Sequence, residues 1–386
     1  MPTALIFGAS GISGWGLLKY CLTDPTPDYW TRIIGLTNRP MTLEAAALPN
    51  DPRYQLAHGI DLLAGADAVT EKLKGVEGIE EVETVFFCAY ISNSDYHELS
   101  RINVALLRAA TIAVDTLCPN LKSITLQSGS KYYGTEFAAQ TPVSPPPLVE
   151  TMPRVPSPFS EKIFYYHQYD LLKELSTGKN WTFYDIRPDV VVGFVPQGNC
   201  MNLAGTLGMF LSLYRYVEGE GAEVVFPGTE KSWSNTHTDT SQDVLSRFEI
   251  LVATSEKAEP QGSYNIADGD KTTWAEKWPL ICSWFGLKGV APPQGAKDTQ
   301  SKAFREWWDQ NRERYQEMKK EFGLKEQEPN DEAWGFQEMI MCGFEVDREY
   351  GLEKAASVGW TEKRGHEHGY WMAFEMMRAA GFVPKF

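Results

Sequence analysis

The first residues that could do chemistry act through their backbone: Gly8-Ala-Ser-Gly11-Ile-Ser-Gly14, directly after the apolar run Ala4 to Phe7. Glycines at this spacing let a chain turn sharply and approach a pyrophosphate. A helix that follows offers free N–H groups and the positive end of its dipole. Gly8, Ser10, Gly11, Ile12 and Gly14 therefore read as a dinucleotide cradle. The second signal is Thr37-Asn38-Arg39-Pro40 at the end of the next apolar run, with Arg39 placed 31 residues after Gly8. An acid there would take ribose hydroxyls. A guanidinium instead pairs with a 2′-phosphate through two charge-assisted bonds, which points to NADPH, with Asn38 beside it. Asp61 is a candidate for the adenine amino group. The third signal is a phenol and an ammonium one helical turn apart, Tyr169-Asp-Leu-Leu-Lys173, with Tyr165 on nearly the same face.

The elements that must hold these residues alternate. Ala4 to Phe7 reads as a strand and about Trp15 to Leu22 as a helix. Arg32 to Thr37 and Thr84 to Ile91 read as strands, and Ala57 to Ile60 as strand-like. Arg101 to Asp115 reads as a helix. Leu121 to Gln127 and Trp181 to Arg187 are further strands, and Tyr264 to Ala267 returns as another. This repetition predicts an α/β fold, a doubly wound parallel sheet with helices on both faces. Pro142, Pro145, Pro146, Pro147, Pro153, Pro156 and Pro158 fall within 17 residues, which excludes helix and inner strand. That segment reads as an ordered surface loop, either a lid near the site or an idle connection. Residues 297–328 read as an amphipathic helix with Phe304, Trp307, Trp308, Tyr315, Met318 and Phe322 on its packed face.

The chain has 386 residues, 43% hydrophobic and 12% aromatic, enough for a large core and either two domains or one with an extra lobe. Its formal charge of −15 argues against nucleic acid or an anionic membrane as partner, but not against an anionic cofactor with a few local donors. The start carries no signal-peptide pattern, and the longest apolar stretch, Val85 to Ile91, is too short to span a bilayer. Six scattered cysteines without a Cys-x-x-Cys pair read as reduced thiols of a cytoplasmic protein. His366 and His368 lack partners at ligand spacing, so no metal is expected.

The Gly-x-x-Gly-x-x-Gly spacing is the form found in short-chain dehydrogenase/reductases. Five further stretches resemble one branch of them, the progesterone 5β-reductase/iridoid synthase-like (PRISE) family, an atypical extended group. These are Leu126-Gln-Ser-Gly-Ser-Lys131-Tyr-Tyr-Gly134; Phe164-Tyr165-Tyr166; Arg187-Pro188 running on to Met201-Asn-Leu-Ala-Gly-Thr206; Phe226-Pro-Gly; and Tyr264-Asn-Ile-Ala-Asp-Gly-Asp270 with Trp274. The resemblance implies Tyr165 and Lys131 as the catalytic pair. NADPH would reduce an activated C=C bond of an α,β-unsaturated carbonyl, with Tyr165 donating to the carbonyl oxygen where charge develops. A nearby Lys131 ammonium is expected to lower the Tyr165 pKa. The competing pair, Tyr169 with Lys173, fits the Tyr-x-x-x-Lys of ordinary carbonyl reduction. This sequence also departs from the plant members. Tyr132 stands where they usually have His, and His167 where they are usually acidic, so substrate identity is not carried over.

Residues past the strand ends complete the expected site. Ala89, Tyr90, Gln127, Arg187, Pro188 and Val190 are assigned to the cofactor, with Arg187-Pro188 offering backbone groups to the nicotinamide carboxamide. Ile91, Tyr133, Phe137, Phe159, Met201, Met209 and Phe210 are expected to line an apolar substrate pocket. The expected layout is a Rossmann domain over 1–196, partly rejoined by 222–268, and a smaller, mostly helical substrate lobe from 197–221 and 269–386. The expected function is an NADPH-dependent enone or enal reductase acting on a hydrophobic small molecule. Carbonyl reduction, redox-neutral cyclisation or isomerisation, and a non-catalytic NADPH sensor are the alternatives. A homodimer is left open.

Overall fold

The computed structural model describes residues 2–138, 140–141, 144–296 and 301–386, and their side chains except those of 301–303. Short apolar runs buried on both sides become inner parallel strands. The strands are β1 (Thr3–Phe7), β2 (Arg32–Leu36), β3 (Tyr54–Ala57), β4 (Val82–Phe87), β5 (Ser123–Gln127), β6 (Thr182–Pro188), β7 (Val190–Val192), β8 (Glu223–Val225), β9 (Asp239–Ser241), β10 (Ser263–Ile266) and β11 (Lys288–Val290). Seven of them form one parallel sheet in the order β10-β6-β5-β4-β1-β2-β3. Two small parallel pairs, β7 with β9 and β8 with β11, lie outside it.

The helices in chain order are α1 (Ile12–Tyr20), α2 (Ala66–Leu73), α3 (Tyr96–Leu117), α4 (Phe164–Leu175), α5 (Leu203–Glu218), α6 (Glu230–Ser234), α7 (Gln242–Thr254), α8 (Trp274–Ser283), α9 (Ser301–Gln310), α10 (Arg312–Phe322), α11 (Asp331–Glu338), α12 (Glu353–Ser357) and α13 (His368–Ala380). Alternation along β1 divides the core. Leu5 and Phe7 pack with apolar residues of α2, α3 and α4, while Ala4 and Ile6 join the core that continues through Trp15 and Phe194 into α5, α8 and α13. The C-terminal region is helical, and α10, α11 and α13 pack on α5.

Several boundaries differ from expectation. The first helix begins at Ile12 because Gly11 serves as its N-cap. The third main strand stops at Phe87, and Cys88 to Ile91 turn across the sheet end, where the Asn103 amide clamps both backbone groups of Ile91 at 3.0 and 2.8 Å. The strand near residue 57 is Tyr54–Ala57. It is an edge strand, only half-buried, so its apolar signal is weak, and residues 58–60 lie beyond it. The expected helix over 297–328 is two helices parted at Asn311, with 297–300 outside the described residues. Phe304, Trp308, Tyr315 and Met318 are buried as expected, whereas Trp307 is half-buried and Phe322 is exposed.

In the proline-rich segment, Pro142 lies outside the described residues. Its described residues form an irregular loop with several ties to the fold, among them the Leu148 N–H donating to the Glu349 carbonyl and the Val155 N–H to the Tyr166 hydroxyl.

Candidate active site

The glycine loop is shaped by contacts that only glycine permits. Gly8 has φ +80°, and a Cβ there would stand 2.8 Å from the Ala89 nitrogen. A Cβ on Gly14 would come within 2.3 Å of the Gly8 carbonyl oxygen, so Gly14 serves the close packing of helix on turn. The Gly11 N–H donates to the Gly8 carbonyl, and α1 starts with neither a side-chain cap nor an acid in its first turn. Its leading N–H groups stay open to an anion. Ser10 and Gly11 are half-buried and Ile12 is buried. Asn199, 188 residues further along, brings its Nδ2 within 3.6 Å of where a Gly11 Cβ would be, a neighbour that no local pattern announced.

Beside this loop the end of β2 is braced by the Thr37 hydroxyl, which donates to the Arg39 carbonyl at 2.6 Å, and by the Gly59 N–H on the Asn38 carbonyl. The side chains of Asn38 and Arg39 are left exposed. Asp61 is exposed too, but one of its oxygens accepts the Leu63 N–H at 3.0 Å and caps its own turn.

At the ends of β4 and β5 the sheet presents Ala89, Tyr90, Gln127 and Lys131. The Gln127 Oε1 is buried without a partner among the described residues. Lys131 lies on the turn Ser130–Tyr133, and Tyr165 on the first turn of α4. A Cβ on Gly129 would lie in ordinary contact, 3.5 Å from the Tyr165 phenol oxygen and 3.4 Å from the Pro188 carbonyl, which places the phenol beside the end of β5. The Tyr165 ring packs at a tilt on Phe164, which contacts Tyr90. Burial pushes the Tyr165 pKa well up, and the charges of Tyr90, Glu136 and Asp185 add to it. Lys131 is not among the groups that shift Tyr165, so the expected lowering is not seen. The Lys131 ammonium is engaged by the Glu136 carboxylate at 3.0 Å. Burial disfavours that ammonium, but Glu136 and Tyr90 more than compensate and raise its pKa.

The alternative Tyr169 is engaged elsewhere by the same fold. The Tyr169 hydroxyl donates to the Gln261 carbonyl at 3.1 Å, its ring packs on Phe183, and Lys173 is exposed. Tyr165 instead joins the aromatic cluster of Tyr132, Tyr133, Phe137, Tyr166 and Tyr350, with Phe159 and Val155 of the proline-rich loop packed against it.

Arg187 does not offer its side chain to a ligand. Its guanidinium is buried over the Tyr132 ring, 3.4 Å from the centroid. It donates to Asp185 at 2.7 Å, Ser263 at 2.9 Å and the Tyr133 hydroxyl at 3.3 Å. The two backbone groups beside it are also engaged: the Pro188 carbonyl accepts the Tyr350 hydroxyl, and the Val190 N–H donates to Asp189. Among the expected pocket residues, Ile91 is exposed, Met201 and Phe159 are half-buried, and Tyr133 and Phe137 are buried within the aromatic cluster. Met209 and Phe210 lie elsewhere, in the core around α5, where Phe210 stacks on Phe304 at 4.1 Å. Their apolar character served helix packing, which a sequence cannot tell from a pocket wall.

Among the described residues no group of His, Cys, Asp and Glu is placed to hold a metal ion, and no helix is long and apolar enough to cross a membrane.

The PRISE-like Rossmann-fold domain matches residues 4–384. A short chain dehydrogenase (ausT) of Aspergillus calidoustus is 37% identical over 391 residues, covering 99% of this chain and 94% of the relative. The 3-oxo-Delta(4,5)-steroid 5-beta-reductase of Arabidopsis thaliana is 26% identical, covering 99% and 93%. Among solved structures, the UDP-glucose 4-epimerase of Thermotoga maritima is similar in fold, with a TM-score of 0.63 at 14% identity over 98% and 99% of the two chains. The chain belongs to the family of PRISE-like Rossmann-fold domains, a branch of the short-chain dehydrogenase/reductase oxidoreductases.

Proposed function

We propose that the protein is an NADPH-dependent reductase of activated C=C bonds in hydrophobic α,β-unsaturated carbonyl compounds. The observation that carries this reading is the Tyr165 phenol, kept protonated by burial and held against Gly129 at the end of β5. The residues around it fit a dinucleotide. The Gly8 turn has no room for a side chain, the start of α1 is uncapped, the Gln127 Oε1 has no partner among the described residues, and Arg39 is exposed beside the loop. Bound NADPH supplies the hydride that adds to the β-carbon. Gly8, Ser10 and Gly11 would hold the pyrophosphate, and Arg39 the 2′-phosphate. Tyr165 would donate a hydrogen bond to the substrate carbonyl oxygen, where negative charge grows as the β-carbon is reduced. The name of the Arabidopsis relative, a reductase of a 3-oxo-Δ4,5 steroid, supports an enone as the substrate class.

The test is NADPH consumption and product analysis over enones, enals and saturated ketones. Turnover of enones or enals to saturated products is expected. Loss of one donor to a developing oxyanion costs about 10²–10³ in kcat, so Tyr165→Phe should fall by that factor while Tyr169→Phe stays near the parent. Reduction of ketones alone, or a loss confined to Tyr169→Phe, would overturn the reading.

A further inference from the structure

A short segment near the C-terminal end of the chain ties two parts of the site together. The Arg348 guanidinium donates to the Asp189 carboxylate at 3.0 Å, and the two side chains are 3% and 0% exposed. Two residues on, the Tyr350 hydroxyl donates to the Pro188 carbonyl at 3.1 Å, across 162 residues of sequence. The backbone of the same segment pairs with the proline-rich loop. The Glu349 carbonyl accepts the Leu148 N–H, and the Gly351 N–H returns to the Leu148 carbonyl. Extended backbone explains the division of labour, since side chains two apart share one side. Bridges to His237 at Arg348 and to Leu148 at Tyr350 fix the segment in place.

The junction that it holds, where β6 passes into β7, borders the candidate phenol. A Cβ on Gly129 would have the Pro188 carbonyl oxygen and the Tyr165 phenol oxygen as its two nearest neighbours. Asp189 is fixed further: its carboxylate accepts the Thr238 hydroxyl, and its N–H donates to the Thr240 hydroxyl, each at 3.0 Å. The Tyr350 ring is braced edge-on by Tyr133, whose hydroxyl donates to Asn265 at 2.6 Å.

We propose that Tyr350 is a positioning residue for the nicotinamide end of the cofactor. Its hydroxyl fixes the Pro188 carbonyl and, with Arg348 on Asp189, makes this backbone a rigid wall beside Tyr165. Ligands of such sheets bind outside the carboxyl ends of the strands. A wall that yields there loosens the ring that must be aligned with the phenol. The grip on the phosphates is separate: the Gly8 loop and Arg39 follow β1 and β2, and among the described residues they share no hydrogen bond with 348–351.

This inference rests on the NADPH reading, so its test reads binding and needs no turnover. Affinities for NADPH and for 2′-phospho-ADP-ribose, the same molecule without its nicotinamide, are measured by calorimetry in the parent and in Tyr350→Phe, with urea unfolding as the check on the fold. Loss of one hydrogen bond to the wall should weaken NADPH about two- to tenfold and leave 2′-phospho-ADP-ribose unchanged. Arg348→Lys, which loosens the same junction through Asp189, should give a split in the same direction. A purely structural Tyr350 would lower stability and move both ligands alike. Equal changes for the two ligands, or none, in a folded Tyr350→Phe protein would overturn the proposal. If the parent binds NADH in preference, the NADPH reading falls, and the same comparison with NADH against ADP-ribose still decides the role of Tyr350.

Discussion

Glu249 carries the sharpest stability consequence in the fold. It lies on α7, is 1% exposed, and has no hydrogen-bond partner for either carboxyl oxygen among the described residues. Its charge is felt by the buried thiols of Cys21 and Cys88. Burial alone pushes its pKa from 4.5 up to about 8. The folded protein therefore keeps this carboxyl protonated where the unfolded chain releases the proton. Its contribution to stability is complete below pH 4.5 and is withdrawn as pH rises toward about 8. The slope is about 1.4 kcal/mol per pH step, so between about pH 5.5 and about pH 8 the native state loses roughly 3 kcal/mol through this one group. Glu249→Met keeps the volume and removes the titration. Urea unfolding of both proteins across that window should give curves that diverge with rising pH, the variant gaining roughly 3 kcal/mol relative to the parent by the upper end. Asp268, raised to about 7 by its own burial, is common to both proteins and drops out of the difference. Parallel curves for the two proteins would refute the idea that Glu249 is stored uncharged.

Two other substitutions read different parts of the molecule. Arg39→Ala removes the one exposed guanidinium at the end of β2. Loss of a charge-assisted bond is worth about 1.5–3 kcal/mol, so the KM for NADPH should rise about tenfold to hundredfold while that for NADH holds. An unchanged NADPH/NADH preference would sink the argument from β2. Phe210→Ala empties a site stacked on Phe304 in the α5 core and should cost about 3–5 kcal/mol of stability in a denaturant titration. Intact stability with altered substrate selectivity would restore Phe210 to the pocket wall.

The residue order alone determined the framework. Short apolar runs ending in glycine or polar turns, separated by helical stretches, specified a parallel doubly wound sheet, because strands buried on both faces must be apolar throughout. The Gly8-x-x-Gly11-x-x-Gly14 spacing placed the cradle, since no other residue fits the contacts that Gly8 and Gly14 make. The family resemblance then singled out Lys131 and Tyr165. Other features depended on chain segments distant in sequence. Tyr165 and Tyr169 lie on nearly one helical face in the sequence. What separates them is where β5 ends at Gly129 and where the Gln261 carbonyl lies, and neither position is local. The Arg187 side chain took partners from three chain segments, Asp185, Ser263 and Tyr133, which meet only in the fold. Met209 and Phe210 looked like pocket lining until α9 supplied Phe304. Lys131 looked like the cation that would acidify Tyr165, but burial and the neighbouring Tyr90, Glu136 and Asp185 raise the phenol instead. In each case the sequence supplied the chemical group, but its electrostatic and packing role was set by the atoms within a few ångströms, and those come together only when the chain folds.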